Sequence, residues 1–190
     1  MSAFLGPIHH RMYAKARSVH KIAEEIALFS DDRGWTSGLA EALAAAWPAP
    51  QGEIEQVIDL SQIHGSLNVL VDDAERALAF ACASAADHID DLACHLEQLG
   101  ARAAARAGTL ELAAAWNSLD AAWLDGMPCD GLMSLVSNEP YEIIWRIDVA
   151  AHAAVGYEAL RTAWMRGFAL ESGFAFSPLG AGTFRLSTEV

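Results

Sequence analysis

The chain has 190 residues, 53% hydrophobic and 19% charged, which is the composition of a folded chain and excludes a disordered one. A formal net charge of −13 argues against nucleic acid as a partner, because phosphate contacts need clustered Lys and Arg. No apolar run reaches the roughly 18–20 residues of a membrane span, so no membrane association is expected.

Pro7 suits the first turn of a helix, and Ile8, Met12, Ala16, Val19, Ala23 and Ile26 follow at spacings of three and four. That spacing predicts a helix over residues 7 to about 29, ending before Ser30-Asp31-Asp32-Arg33-Gly34. Arg11, Lys15, Arg17 and Lys21 then form a solvated basic face. An alanine-rich helix near 39–47 stops at Pro48-Ala49-Pro50-Gln51-Gly52. Asp59-Leu60-Ser61-Gln62 has the form of a capping box opening the next helix, whose apolar face takes Val69, Ala77, Phe80 and Ala81.

A further helix is expected from about residue 84 through His95 and Leu99 to about 106. Thr109 is placed to cap one from 110 to about 124, with Gly126 ending it. Alanine dominates these segments, and small side chains let helices approach closely. Beyond Cys129, Ile143, Trp145, Ile147 and Val149 alternate with Ile144, Arg146 and Asp148, the pattern of a half-buried strand. A helix over 157–171 follows, and Phe174-Ala175-Phe176 and residues 183–186 flank 177–182 as a hairpin. The expected architecture is α+β: one domain over 1–190, with a helical bundle over 1–126 and a strand–helix–hairpin part over 127–190 that supplies a small antiparallel sheet.

Three cysteines, Cys82, Cys94 and Cys129, are odd in number and contain no CxxC, so a disulfide framework is not expected. Met1 to Leu5 lacks the basic and apolar regions of a secretion signal, and a cytoplasmic location is the expectation.

Histidine and cysteine fall at chain breaks: Gly6-Pro7-Ile8-His9-His10, Ile63-His64-Gly65 and Gly126-Met127-Pro128-Cys129-Asp130-Gly131. These residue types bind metals and move protons near neutral pH. His9, Tyr13 and His20 share nearly one azimuth of the first helix. His9 and His20 stand about 16 Å apart along its axis, too far for one metal. His9 is either a donor or an edge histidine bonded to a backbone carbonyl. Gly65 beside His64 costs about 1 kcal/mol relative to Ala, explained by approach of a ligand or by packing of a helix. Cys129 is either a ligand or a buried inert thiol. Asp87, His88, Asp91, Cys94 and His95 have metal-like spacing but sit among Asp90, Glu97 and Gln98, and an acidic solvated face explains them better. His152, after the strand and close to Trp145, faces a cleft or caps the strand end. The Glu-x-x-His pairs of di-iron bundles, His-Glu-x-x-His, a phosphate-binding Gly loop and Gly-x-Ser-x-Gly are all absent.

Phe4-Leu5-Gly6-Pro7-Ile8-His9, Ile58-Asp59 with Ile63-His64-Gly65, and Gly126-Met127-Pro128-Cys129-Asp130 resemble an uncharacterised bacterial family associated chiefly with anaerobes. The resemblance spans most of the chain and implies no particular activity. It implies that His9, His64 and Cys129 act together, with Asp130 and His152 as further candidates. Arg11 departs from the pattern, which has tryptophan there, and the acidic 88–95 segment matches no part of it.

The expected site therefore lies where bundle meets sheet, with His9, His64 and Cys129 as metal ligands and His152 as a fourth donor. Asp130 and Trp145 would support it from behind. Imidazole and thiolate donors suit iron or zinc, and an axial haem ligand also fits. An open coordination position would make the protein a redox or sensory enzyme, with a small-molecule ligand. The competing expectation is a non-enzymatic, metal-free homodimer, in which the tryptophans and alanine-rich faces build the interface.

Overall fold

The computed structural model describes residues 4–188; residues 1–3, part of the stretch read for a secretion signal, lie outside them. Among the described residues there are seven α-helices and one four-stranded antiparallel sheet near the C-terminus, the α+β architecture expected. No helix among them is long and apolar enough to cross a membrane.

The chain divides into two compact units. The first contains α1 (Pro7–Asp32), α2 (Leu39–Ala46), α3 (Ile54–Val57) and α4 (Ile63–Ser84), with segments 121–127 and 153–155. α1 packs on α4, and Ala16, Ala23, Ile26, Leu67, Ala74, Ala77 and Ala81 are completely buried. Small side chains predominate, so the helices approach closely.

α1 runs through Ser30-Asp31-Asp32, beyond its predicted end. Ser30 Oγ donates to the Ile26 carbonyl at 2.7 Å and so stays inside the helix. The Asp31 carboxylate accepts from Thr36 Oγ1, Leu39 N and Ala40 N at 2.7, 3.1 and 3.0 Å, capping the start of α2. Those bonds hold its carboxyl below the usual range, the Ala40 amide contributing most. The predicted capping box is an Asx turn instead: Asp59 Oδ1 accepts from Ser61 N at 2.8 Å and Ser61 Oγ at 2.7 Å. α4 begins later, at Ile63, with Gln62 as its uncapped N-cap residue. Val69, expected on the buried face, is 57% exposed.

The second unit contains α5 (Ile89–Ala107), α6 (Leu112–Ala122) up to Asp120, β1 (Met133–Glu139), β2 (Glu142–Ile147), α7 (Tyr157–Glu171), β3 (Ala175–Gly180) and β4 (Thr183–Ser187). α6 starts two residues later than the Thr109 cap predicts. α5 packs on α7 through glycine: a Cβ on Gly100 would collide with the Trp164 carbonyl, and one on Gly167 with the Glu97 carbonyl. The sheet order is β1-β2-β4-β3. Ile143, Trp145 and Ile147 alternate to one buried face, and Trp145 pairs across the ladder with Phe184. The β3–β4 turn is tighter than expected, with Ala181 and Gly182 both at positive φ. β1 has no counterpart in the sequence reading; it is a mostly exposed edge strand broken by an irregularity between Leu135 and Ser137.

Candidate functional site

In the first unit His9 occupies the third position of α1 and is buried. Its Nδ1 accepts the Gly6 N–H at 2.8 Å, while the His9 backbone N–H donates to the Gly6 carbonyl at 3.0 Å. The side chain thus caps the helix with an acceptor nitrogen; the carbonyl bond that was one of its two expected roles is not what Nδ1 makes. That arrangement leaves the proton of the neutral ring on Nε2.

His64, exposed in the first turn of α4, meets His9 edge to face: the ring centroids are 5.3 Å apart and the planes 86° apart. Two segments separated by 55 positions therefore bring their imidazoles together. Next to His64, a Cβ on Gly65 would find nothing nearer than Gln62 Oε1 at 3.9 Å. Packing of a neighbouring helix does not account for this glycine. It leaves backbone open beside the exposed imidazole.

His20, on the same azimuth, is buried and neither ring nitrogen has a hydrogen-bond partner among the described residues. Burial pushes its pKa down, and the charge of Asp73 opposes that only in part.

Lys15 departs from the predicted solvated face: it is 5% exposed, and its Nζ lies 3.9 Å from Asp125 Oδ2. The helical spacing of Lys15 between Met12 and Val19 marks it as inward-facing, a signal outweighed at sequence level by its charge.

The other expected donors belong to the second unit. Cys129 stands in a short 3-10 turn, Pro128–Asp130, and is exposed, not a buried thiol; its Sγ is 3.7 Å from Asp130 Oδ1. His152 closes the 3-10 turn Val149–Ala151 and stacks on Tyr157, with centroids 3.8 Å apart and planes 9° apart. The Tyr157 hydroxyl in turn accepts from Arg161 Nη1 at 2.8 Å. Arg161 is 1% exposed, a buried cation the sequence reading did not single out. Trp145 packs among Trp116, Phe176 and Phe184. Asp87, Asp90, Asp91 and Cys94 are exposed, as a solvated face requires, but His88 and His95, expected on the same face, are half-buried.

Among the described residues, no group of three or more His, Cys, Asp or Glu side chains is disposed to hold a metal ion. Cys82 is buried, and desolvation pushes its thiol up to about 12. Comparisons with protein-family models, curated proteins and solved structures find no match.

Proposed function

We propose that the protein binds a transition-metal ion, iron or zinc, through the imidazoles of His9 and His64. The observation that carries this reading is their 5.3 Å centroid separation. With metal–nitrogen bonds of about 2.0–2.1 Å and a ring nitrogen about 1.1 Å from its centroid, two imidazoles on one tetrahedral ion stand about 5.2 Å apart, so the spacing fits once one ring turns out of the edge-to-face contact to aim a nitrogen at the ion. Two axial ligands of a haem iron would lie on opposite sides of the ring system and farther apart, so a single ion fits this pair better. An ion held by two imidazoles keeps positions for water or substrate, which suits redox or sensory chemistry. Cys129 and His152, donors suggested by the sequence, lie in the other unit, and this reading rests on the two imidazoles alone.

The His9 cap opposes binding, because Nε2 must give up its proton and Nδ1 its bond from Gly6. Losing such a cap costs about 1 kcal/mol. The two metal–imidazole bonds must outweigh that cost for the ion to bind. The open backbone at Gly65 supports access to His64.

The test is titration of untagged, anaerobically purified protein with cobalt(II) as a visible probe, followed by zinc and iron(II). The expected result is one saturable equivalent, weakened at least about tenfold in His64→Ala. Equal binding in that variant, or none in the parent, overturns the reading. A second reading, the metal-free homodimer, is supported by exposed apolar side chains on the β1 edge, Leu135 at 45% and Val136 at 62%, and in the turn after it, Tyr141 at 60%. Metal-free protein that light scattering finds dimeric would favour it.

A further inference from the structure

A cleft of about 470 Å³ opens between the outer face of α1 and the 49–51 loop, lined in part by Arg17, Ser18, Lys21, Glu24, Pro50 and Gln51. Its volume lies within the roughly 300–1,000 Å³ of small-molecule sites. Its walls are tied together by one residue, since the Tyr13 hydroxyl donates to the Gly52 carbonyl at 2.8 Å and fastens the loop to α1. The Arg17 guanidinium rests over the same Tyr13 ring, 5.6 Å from its centroid. Pro50 is buried, and Gln51 Nε2 donates to the Ala49 carbonyl at 3.2 Å, so the loop is held by its own contacts.

The charge here runs against the rest of the chain. There are 25 acidic residues to 12 basic ones, yet neither Arg17 nor Lys21 has an ion-pair partner among the described residues. The two are four apart on one helix, an arrangement of like charges that weakens the helix unless an anion lies between them. Glu24 follows one turn beyond Lys21, about 10 Å along the axis from Arg17. A ligand spanning the cleft thus meets two cations at one end and a carboxylate at the other.

We propose that this cleft binds a small phosphomonoester carrying an amino or hydroxyl group. Its phosphate sits between Arg17 and Lys21, and its amino or hydroxyl end donates to Glu24. The planar fork of Arg17 suits phosphate oxygens, and Lys21 adds a second charge to a dianion. The site is separate from the His9–His64 pair, so metal binding can fail while this proposal stands, and the reverse.

The test is calorimetric titration of the full chain with O-phosphoethanolamine, glycerol phosphate, inorganic phosphate and succinate. The expected result is saturable binding of O-phosphoethanolamine, tighter than inorganic phosphate. Arg17→Ala and Lys21→Ala should each weaken it by about tenfold or more, a loss of one decade in Kd. Both residues are exposed, so the variants fold. Glu24→Gln should erase the preference for O-phosphoethanolamine over inorganic phosphate. No saturation in the parent by about 10 mM, or unchanged binding in Arg17→Ala/Lys21→Ala, overturns the site. Tighter binding of succinate than of either phosphomonoester overturns the phosphate assignment.

Discussion

Lys15 on α1 reaches Asp125 inside the first unit, Nζ to Oδ2 at 3.9 Å, with both side chains almost wholly removed from water. Burying two charges costs several kcal/mol each, and their attraction offsets this only while both are present. Removing one partner therefore hurts more than removing both. Lys15→Met should destabilise the protein by about 3 kcal/mol, and adding Asp125→Leu should recover part of that loss. Urea midpoints of the parent, both single variants and the double variant measure the coupling. Strictly additive effects would show that the two side chains do not act as a pair.

Two glycines on helices make opposite predictions because their surroundings differ. Gly65 has open space around its missing Cβ, so Gly65→Ala should stabilise α4 by up to about 1 kcal/mol through helix propensity. If an ion and its water approach at His64, the same methyl group should weaken cobalt(II) binding. Gly100 faces the Trp164 carbonyl with no room for a methyl group. Gly100→Ala must push α5 from α7, at a cost of about 1–3 kcal/mol or more. Thermal unfolding of the two variants should shift in opposite directions; a shared direction would contradict the contact geometry.

The helices were readable because apolar residues recur at three and four over long stretches, as in α1 from Met12 to Ile26. β2 was readable for the corresponding reason: Ile143, Trp145 and Ile147 alternate with less buried neighbours. β1 was not, because an exposed edge strand with an irregular register needs no apolar alternation. Polar residues near helix ends misled in a consistent way. Asp31 looks like a turn residue but caps a helix eight positions on, and Asp59 looks like a cap but closes a turn. Local pattern does not reveal which distant amide a carboxylate will meet. The same limit governed the site. Their places at chain breaks singled out His9 and His64 but not the meeting of their rings, and the burial of Lys15 with Asp125 depends on a segment 110 positions away.

His20 is buried on α1 with both ring nitrogens lacking hydrogen bonds among the described residues, which makes the first unit sensitive to acid. Desolvation lowers its pKa below the ordinary value of 6.5, and Asp73 on α4 only moderates the effect. In the unfolded chain the imidazole takes its proton near that ordinary value; in the folded chain it resists until lower pH. The unfolded state therefore binds more protons within that window, and stability must fall as pH drops below about 6.5. The slope from this one group is at most about 1.4 kcal/mol per pH unit. His20→Leu keeps a side chain that can fill the space and removes the titration. Urea midpoints measured at about pH 7.5 and 5.5 should converge for His20→Leu and separate for the parent. Equal losses in both proteins would assign the acid sensitivity to other groups and leave His20 a passive part of the core.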